Sequence, residues 1–164
     1  MKKYKTYLRT VSEQDVDLMM KWENNPEFWP HSASAGPFTR TEVLDFIREC
    51  TDLYRHLQCR YIIATDTDGD VGALDIFEYD EANKTAGMGI MIAEPANRRK
   101  GLARDAVLQF LALDETQRSL RLVWCLVDIS NLPSQALFTH CGFAISGTKL
   151  YKGKEALRYT RYVK

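Results

Sequence analysis

Several features that would assign a function at once are scarce or absent in this sequence of 164 residues. Its four cysteines form no C-x-x-C pair and have no histidine at metal-ligand spacing, which argues against a disulfide framework or a zinc site. No apolar run is long enough to span a membrane, and the first residues do not resemble a secretory leader. We therefore expect reduced thiols, no metal, no membrane partner and a cytoplasmic location.

An excess of charge of one sign is also lacking. The 22 lysines and arginines balance 22 acidic residues, so no overall basic field indicates a nucleic-acid partner. Positive charge is instead local, because Arg98, Arg99, Lys100 and Arg104 lie within seven positions. A cluster this compact favours a small polyanion over a long duplex. The hydrophobic content of 45% is enough for one sizeable core, and we expect a single domain over residues 1–164.

Hydrophobic periodicity predicts a mixed α/β order in which antiparallel strands precede a strand-helix-strand unit. Residues 28–32 are predicted to form a loop rich in aromatic residues and proline. The predicted strands cover residues 5–10, 61–65, 71–79, 87–92, 122–127, 143–148 and 157–162. The predicted helices cover 13–23, a segment that begins at the capping box Thr39-x-x-Glu42, 101–117 and 132–140.

The most informative stretch, residues 89–103, is a strand that passes through a basic loop into a helix. The first N–H groups of a helix have no internal partners and carry the positive end of its dipole. A diphosphate placed there therefore gains several charge-assisted hydrogen bonds. Gly101 and Ala103 have almost no side chain, which lets phosphate oxygens approach the backbone closely. We predict a diphosphate site at this turn.

Two spaced motifs carry a family resemblance. Arg98, Gly101 and Ala103 match the Arg/Gln-x-x-Gly-x-Gly/Ala signature of the GNAT acetyltransferase superfamily, which this sequence resembles. Residues 127–143 resemble the second acyl-CoA motif of that family, at the expected distance. The N-terminal part, residues 8–27, is similar to the branch that contains ribosomal-protein and spermidine acetyltransferases.

The resemblance implies one α/β domain with a mixed, mostly antiparallel, splayed sheet of roughly six or seven strands and about four helices. Acetyl-CoA would be the co-substrate, with its pantetheine arm in a split between the strands at 87–92 and 122–127. Asn131 is also a good helix N-terminal residue, and Phe138 fits an ordinary core equally well. The implied cofactor contacts are Met91, Ile92, Arg98, Arg99, Lys100, Gly101, Leu102, Ala103, Arg104, Asn131 and Phe138.

The catalytic pair of the family does not carry over. Many relatives have a glutamate base where this chain has Gly87, and a tyrosine acid where it has Phe138, which has no proton to donate. Our catalytic candidates are Ser134, Asn131 and Asp128. Asp128 is equally typical of a residue that ends a strand or caps a turn. Weaker candidates for a base are Asp75, Glu78 and His31, and a structural role is the alternative that we favour for Asp75.

The acceptor side is predicted from the resemblance alone. Trp22, Phe28, Trp29 and His31 would line the acceptor pocket, because the corresponding segment covers the amine-binding side in the relatives. Core packing accounts for Trp22 equally well, and Glu23 and Glu27 can attract a cationic amine or simply be solvated.

The predicted function is acetyl-CoA-dependent transfer of an acetyl group to a primary amine by direct attack. The acceptor would be a peptide N-terminus, a polyamine or another small amine, and the enzyme could form a homodimer. The alternative is a catalytically silent acyl-CoA-binding or regulatory module, which the missing base and acid make credible. A dinucleotide-binding domain is disfavoured because the sequence has no G-x-G-x-x-G motif.

Overall fold

A mixed β-sheet forms the centre of the protein. The computed structural model describes residues 4–31 and 35–164, without the side chain of His31. In chain order the strands are β1 (Tyr7–Thr10), β2 (Cys59–Thr65), β3 (Gly69–Asp80), β4 (Thr85–Ile92), β5 (Leu122–Asp128), β6 (Ala144–Tyr151) and β7 (Lys154–Tyr162). These seven strands lie in the order β1-β2-β3-β4-β5-β7-β6. All neighbours are antiparallel except β4 and β5, so the predicted mixed, mostly antiparallel sheet is confirmed.

Helices pack on both sides of this sheet. In the described residues the α-helices are α1 (Val16–Glu23), α2 (Arg40–Arg48), α3 (Leu53–His56), α4 (Leu102–Ala112), α5 (Asp114–Ser119) and α6 (Leu132–His140). Short 3-10 helices cover Glu13–Asp15, Pro26–His31 and Pro95–Asn97. None of the helices in these described ranges is long and apolar enough to cross a membrane.

Three details differ from the sequence prediction. The helix predicted over residues 101–117 is divided, because Leu113 adopts an extended conformation (φ −63°, ψ 138°) between α4 and α5. The short helix α3 was not predicted. The predicted loop after Asn25 begins instead as the 3-10 helix Pro26–His31, with Pro30 inside it. Each difference concerns a segment of one or two turns, which hydrophobic periodicity hardly distinguishes from a loop.

Local capping explains where two of the helices begin. At α2 the Glu42 N–H donates to the Thr39 hydroxyl (3.2 Å), and the Thr39 N–H donates to the Glu42 carboxylate (2.7 Å), which confirms the predicted capping box. At α6 the Asn131 side-chain oxygen accepts a hydrogen bond from the Ser134 N–H at 3.3 Å. Pro133 occupies the first turn of α6, where its missing N–H costs no hydrogen bond.

The two faces of the sheet carry different layers. We call them the α4 face and the α1 face. Val107 and Phe110 of α4 pack against buried residues of the central strands, including Val123, on the α4 face. On the α1 face, α1 and α2 cover β1 to β4, and fully buried side chains such as Met19 and Ile62 form a second core. The side chains that project from β5 on the α1 face are only partly buried, at Leu122, Trp124, Leu126 and Asp128.

A split opens between the two parallel strands. β4 and β5 pair only at their N-terminal ends, where residues 85–87 face residues 122–124. Beyond that point β4 pairs only with β3, up to Ile92, and β5 pairs only with β7, up to Asp128. The two strands therefore diverge along the rest of their length, as the prediction of a splayed sheet requires.

Candidate active site

The turn at the start of α4 is the predicted diphosphate site. Gly101 has a left-handed backbone (φ +78°), and a side chain there would meet no atom within 4 Å. The first hydrogen bond of the helix runs from the Asp105 N–H to the Gly101 carbonyl at 3.0 Å. The N–H groups of Leu102, Ala103 and Arg104 therefore have no partner inside the helix. The space beside Gly101 is open, as the predicted diphosphate site requires.

Three cations surround this turn. Arg99, Lys100 and Arg104 are all exposed. The Lys100 ammonium lies 3.9 Å from the Asp68 carboxylate and 3.5 Å from the Asn97 side-chain oxygen, contacts that are long enough to yield to a ligand. The positive field predicted from the sequence is thus present at the surface of the turn.

Arg98 behaves differently from its neighbours. Its guanidinium donates to the carbonyls of Ile92 (3.1 Å) and Ala93 (3.3 Å) and pairs with the Glu27 carboxylate (2.7 Å). The ring of Phe28 lies 5.8 Å from the guanidinium carbon. Arg98 therefore holds the chain that leads from β4 to the turn. From the sequence, Arg98 is predicted as a cofactor contact, but these partners make it a residue that positions the loop.

Of the two main-chain positions predicted at the split, Met91 and Ile92, only Ile92 faces it. A side chain on Gly72 of β3 would collide with the Met91 carbonyl oxygen, so this carbonyl points towards β3. Because main-chain groups alternate along a strand, those of Ile90 and Ile92 face the split instead. This corrects the prediction for Met91 and adds Ile90 to the main-chain groups at the split. The Ile92 carbonyl faces outwards and already accepts the hydrogen bond from Arg98.

The second motif contributes a helix start beside the end of β5. Asn131 caps the N-terminus of α6, which is the structural role given as its alternative in the sequence analysis. The hydroxyl of Ser134 is partly buried and makes no hydrogen bond within the described part of the chain. Phe138 is only 4% exposed and packs against Phe143 and Tyr159, with ring centroids 5.2 and 6.5 Å away. Phe138 therefore belongs to the core.

The candidate carboxylates are engaged by protein donors. Asp128 accepts hydrogen bonds from the N–H (2.8 Å) and hydroxyl (2.6 Å) of Ser130, which makes it a turn-capping residue. Both oxygens of Asp75 bind Arg60, at 2.6 and 2.7 Å, and Glu23 binds the same guanidinium at 2.5 Å. Burial alone would lower the pKa of Arg60, but the two carboxylates raise it well above its ordinary value. Asp75 therefore has a structural role, as the ion-pair partner of Arg60, and this role was the alternative to catalysis in the sequence analysis.

An aromatic ring fills the place of the missing base. A side chain built on Gly87 would collide with the ring of Phe77, whose strand pairs with β4 at that position. The Phe77 ring in turn packs edge to face on Trp124, with centroids 5.5 Å apart and an interplanar angle of 87°. The ring of Phe77 therefore occupies the space that a glutamate side chain at position 87 would need. Sequence reasoning identified Gly87 but not Phe77 or Trp124.

Gly87→Glu should destabilise the fold by about 1 to 3 kcal/mol, because the new side chain must displace the Phe77 ring. The double variant Gly87→Glu, Phe77→Ala should recover stability relative to Gly87→Glu, since the ring no longer occupies the space. Urea unfolding measures both. Gly89→Ala is the matched control, because a side chain there makes only ordinary contacts, at 3.7 Å with Phe77. Equal stability of Gly87→Glu and wild type would contradict this packing argument.

The predicted acceptor residues differ in their burial. Trp22 is 3% exposed and lies in the core beneath α1 and α2, so its prediction as an acceptor contact is wrong. Phe28 and Trp29 are partly buried, and the Trp29 indole N–H donates to the Glu23 carbonyl at 2.8 Å. His31 ends the 3-10 helix, and its side chain lies outside the described residues.

The cysteines do not contribute a nucleophile. All four are free and buried. Burial raises the pKa of Cys50, Cys59 and Cys125 to about 12 and that of Cys141 to about 11, so at neutral pH these thiols are protonated. Within residues 4–31 and 35–164, no three His, Cys, Asp or Glu side chains come together as a metal site.

A parallel strand pair that opens beside an anion-binding helix start is the architecture of an acyl-CoA-dependent acyltransferase. The chain belongs to the GNAT acetyltransferase family, because the family model described as "Acetyltransferase (GNAT) domain" matches residues 5–144. It is therefore an enzyme of the acetyltransferase class. No curated protein sequence matches the chain.

Solved structures share the fold at low sequence identity. RimL, a ribosomal alpha-N-protein acetyltransferase in complex with coenzyme A, is 16% identical with a TM-score of 0.82, over 98% of this chain and 95% of that one. The spermidine N-acetyltransferase of Vibrio cholerae, in complex with CoA and spermine, is 18% identical (TM-score 0.78, 96% and 95%). The microcin self-immunity acetyltransferase MccE, in complex with acetyl-CoA and AMP, is 17% identical (TM-score 0.80, 96% and 92%).

Proposed function

We propose that this protein transfers the acetyl group of acetyl-CoA to a primary amine by direct attack of the amine on the thioester. The observation that carries the proposal is the open helix start at Gly101, with its free N–H groups, beside the split between β4 and β5. The acetyl-CoA and CoA complexes of proteins with the same fold support the choice of co-substrate.

The chain supplies positioning and polarisation in this mechanism. The N–H groups of residues 102–104 would bind the diphosphate, with Arg99, Lys100 and Arg104 neutralising its charge. Outward main-chain groups of Ile90 and Ile92 would bind the pantetheine arm as an added strand would. An amine held against the thioester in the split then attacks its carbonyl, and the leaving thiolate takes a proton. We propose that the Ser134 hydroxyl donates that proton while it takes one from a water molecule, so the serine is unchanged after the step.

Deprotonation of the acceptor is the step without a dedicated base. A lysine-like amine with a pKa of about 10.4 is charged at neutral pH, and removing its proton costs roughly 4 to 5 kcal/mol. For an α-amino group with a pKa near 8 the cost is only about 1 kcal/mol. Since Phe77 fills the place of the base at Gly87 and Asp75 is held by Arg60, we propose an acceptor amine of low pKa that loses its proton to water.

Purified protein should release CoA thiol from acetyl-CoA only in the presence of a suitable primary amine. The expected pH profile of kcat/KM follows the pKa of the amine used, and shifts when an amine of different pKa replaces it. Calorimetry with acetyl-CoA alone measures binding separately. Binding without thiol release across a broad amine panel would favour the silent-module alternative. A pH profile fixed by a protein group, and removed by one carboxylate substitution, would contradict the absence of a base.

Two further properties are part of the proposal. The four free, buried cysteines support a reducing compartment, which agrees with the cytoplasmic location expected from the sequence. The edge strand β6 is exposed over all eight of its residues, and its unpaired main-chain groups support a homodimer.

A further inference from the structure

A partly buried arginine on β7 has no carboxylate partner. The Arg158 guanidinium donates to the Ser146 hydroxyl at 3.1 Å, and its carbon lies 5.8 Å from the ring centroid of Trp124. Among the residues that the structure describes, no carboxylate oxygen lies within 4.0 Å of its nitrogens, whereas Arg60 and Arg98 are ion-paired. A cation that has lost part of its hydration without gaining a counter-charge is available to an anion from solution.

Arg158 lies beside the split. It is the cross-strand neighbour of Leu126 on β5, two residues beyond Trp124, where β5 leaves β4. Paired side chains of antiparallel strands share a face, and alternate residues of one strand do too, so Arg158, Leu126 and Trp124 all lie on the α1 face. With strands about 4.8 Å apart, the guanidinium is one strand away from the opening of the split. An amine that reaches a thioester in the split from this face passes Arg158.

The charges around this opening do not favour a polycation. Glu23 and Asp75 both bind Arg60, and Asp128 accepts hydrogen bonds from Ser130. Lys149 on β6 pairs with Ala156 and adds a second positive charge on the same face as Arg158. Glu23, Asp75 and Asp128 are thus held by protein donors, whereas Arg158 and Lys149 make no ion pair with the residues that the structure describes.

We infer that the acceptor is a primary amine that also carries a carboxylate or phosphate group, and that Arg158 binds this oxyanion while the amine reaches the thioester. The inference rests on the proposed function and specifies its acceptor. A planar guanidinium can donate two parallel hydrogen bonds to either oxyanion, and the Trp124 ring supports it from one side. The role of Arg158 is to determine specificity, without taking part in the chemical step.

The test compares amines that differ only in the oxyanion: glycylglycine with glycylglycinamide, and O-phosphoethanolamine with ethanolamine, with spermidine as the polycation. At saturating acetyl-CoA, the wild type should prefer the anionic member of at least one pair by roughly tenfold or more in kcat/KM, as expected for a charge-assisted hydrogen bond. Arg158→Gln should remove this preference and leave the dissociation constant of acetyl-CoA unchanged. Arg158→Lys should retain part of it. Arg55→Gln, at an exposed arginine on α3, is the matched control.

The two pairs distinguish the possible oxyanions, because a preference confined to one pair identifies carboxylate or phosphate. Equal use of the neutral amines, better use of spermidine, or an unchanged preference in Arg158→Gln would overturn the inference and leave acetyl transfer to amines intact. No thiol release with any amine, despite binding of acetyl-CoA, would instead overturn the proposed function and this inference with it.

Discussion

Gly101→Val is expected to weaken acetyl-CoA binding by roughly 100-fold, as measured by calorimetry, because it removes about two charge-assisted hydrogen bonds to the diphosphate. Two physical effects act together. A β-branched residue is strained at the φ of +78° that Gly101 adopts, so the turn rearranges and the N–H groups of Leu102 and Ala103 lose their alignment. The new side chain also occupies the open space that the diphosphate needs.

Gly153→Val is the matched control for the strain. Gly153 lies in the turn between β6 and β7, has a φ of +73°, and likewise has no atom within 4 Å of an added side chain. Both substitutions should lower the unfolding free energy by about 1 to 2 kcal/mol, but only Gly101→Val should affect acetyl-CoA binding. If both variants bind acetyl-CoA as the wild type does, the diphosphate lies elsewhere and the assignment of this turn fails.

Local signals explain why parts of the fold could be predicted. The capping box at Thr39 and Glu42 and the span of α6 depend on residues within a few positions of one another. The same holds for the strands, whose alternation is visible in short windows. Periodicity failed at Leu113, because one extended residue between two helices leaves an apolar pattern almost unchanged.

The split between β4 and β5 was implied by family resemblance and not by the residues alone. Periodicity identifies β4 and β5 as strands, but the parallel contact between them joins positions 37 residues apart and ends after three residue pairs. That early ending creates the split. Pairing of this kind depends on the whole set of long-range contacts, which a single sequence does not display.

The electrostatic part of the site could not be predicted for a similar reason. Arg98 belongs to a basic cluster in the sequence, but its carbonyl and carboxylate partners show that it positions the loop. Glu23 and Asp75 are candidates for binding and catalysis in the sequence, and in the structure they share Arg60. The identity of a charged residue predicts that it needs a partner, and only the fold decides which one it finds.

Arg60→Met should lower the unfolding free energy by about 3 to 5 kcal/mol, as measured by urea unfolding. Arg60 is 7% exposed and holds both oxygens of Asp75 as well as one of Glu23, with the Phe46 ring 4.8 Å from its guanidinium carbon. Methionine preserves much of the volume but leaves two neighbouring carboxylates without a counter-charge. The loss is therefore electrostatic, and repulsion between Glu23 and Asp75 adds to the cost of their partial burial.

Neutralising the carboxylates distinguishes this cause from a packing defect. The triple variant Arg60→Met, Glu23→Gln, Asp75→Asn should recover most of the lost stability, because it removes the unbalanced charges while the cavity stays the same. Arg40→Met is the matched surface control, since the 2.6 Å pair of Arg40 with Asp17 is exposed and should contribute less than about 1 kcal/mol. A triple variant as unstable as Arg60→Met would show that the packing of Arg60, and not its charge, holds α1 against the sheet.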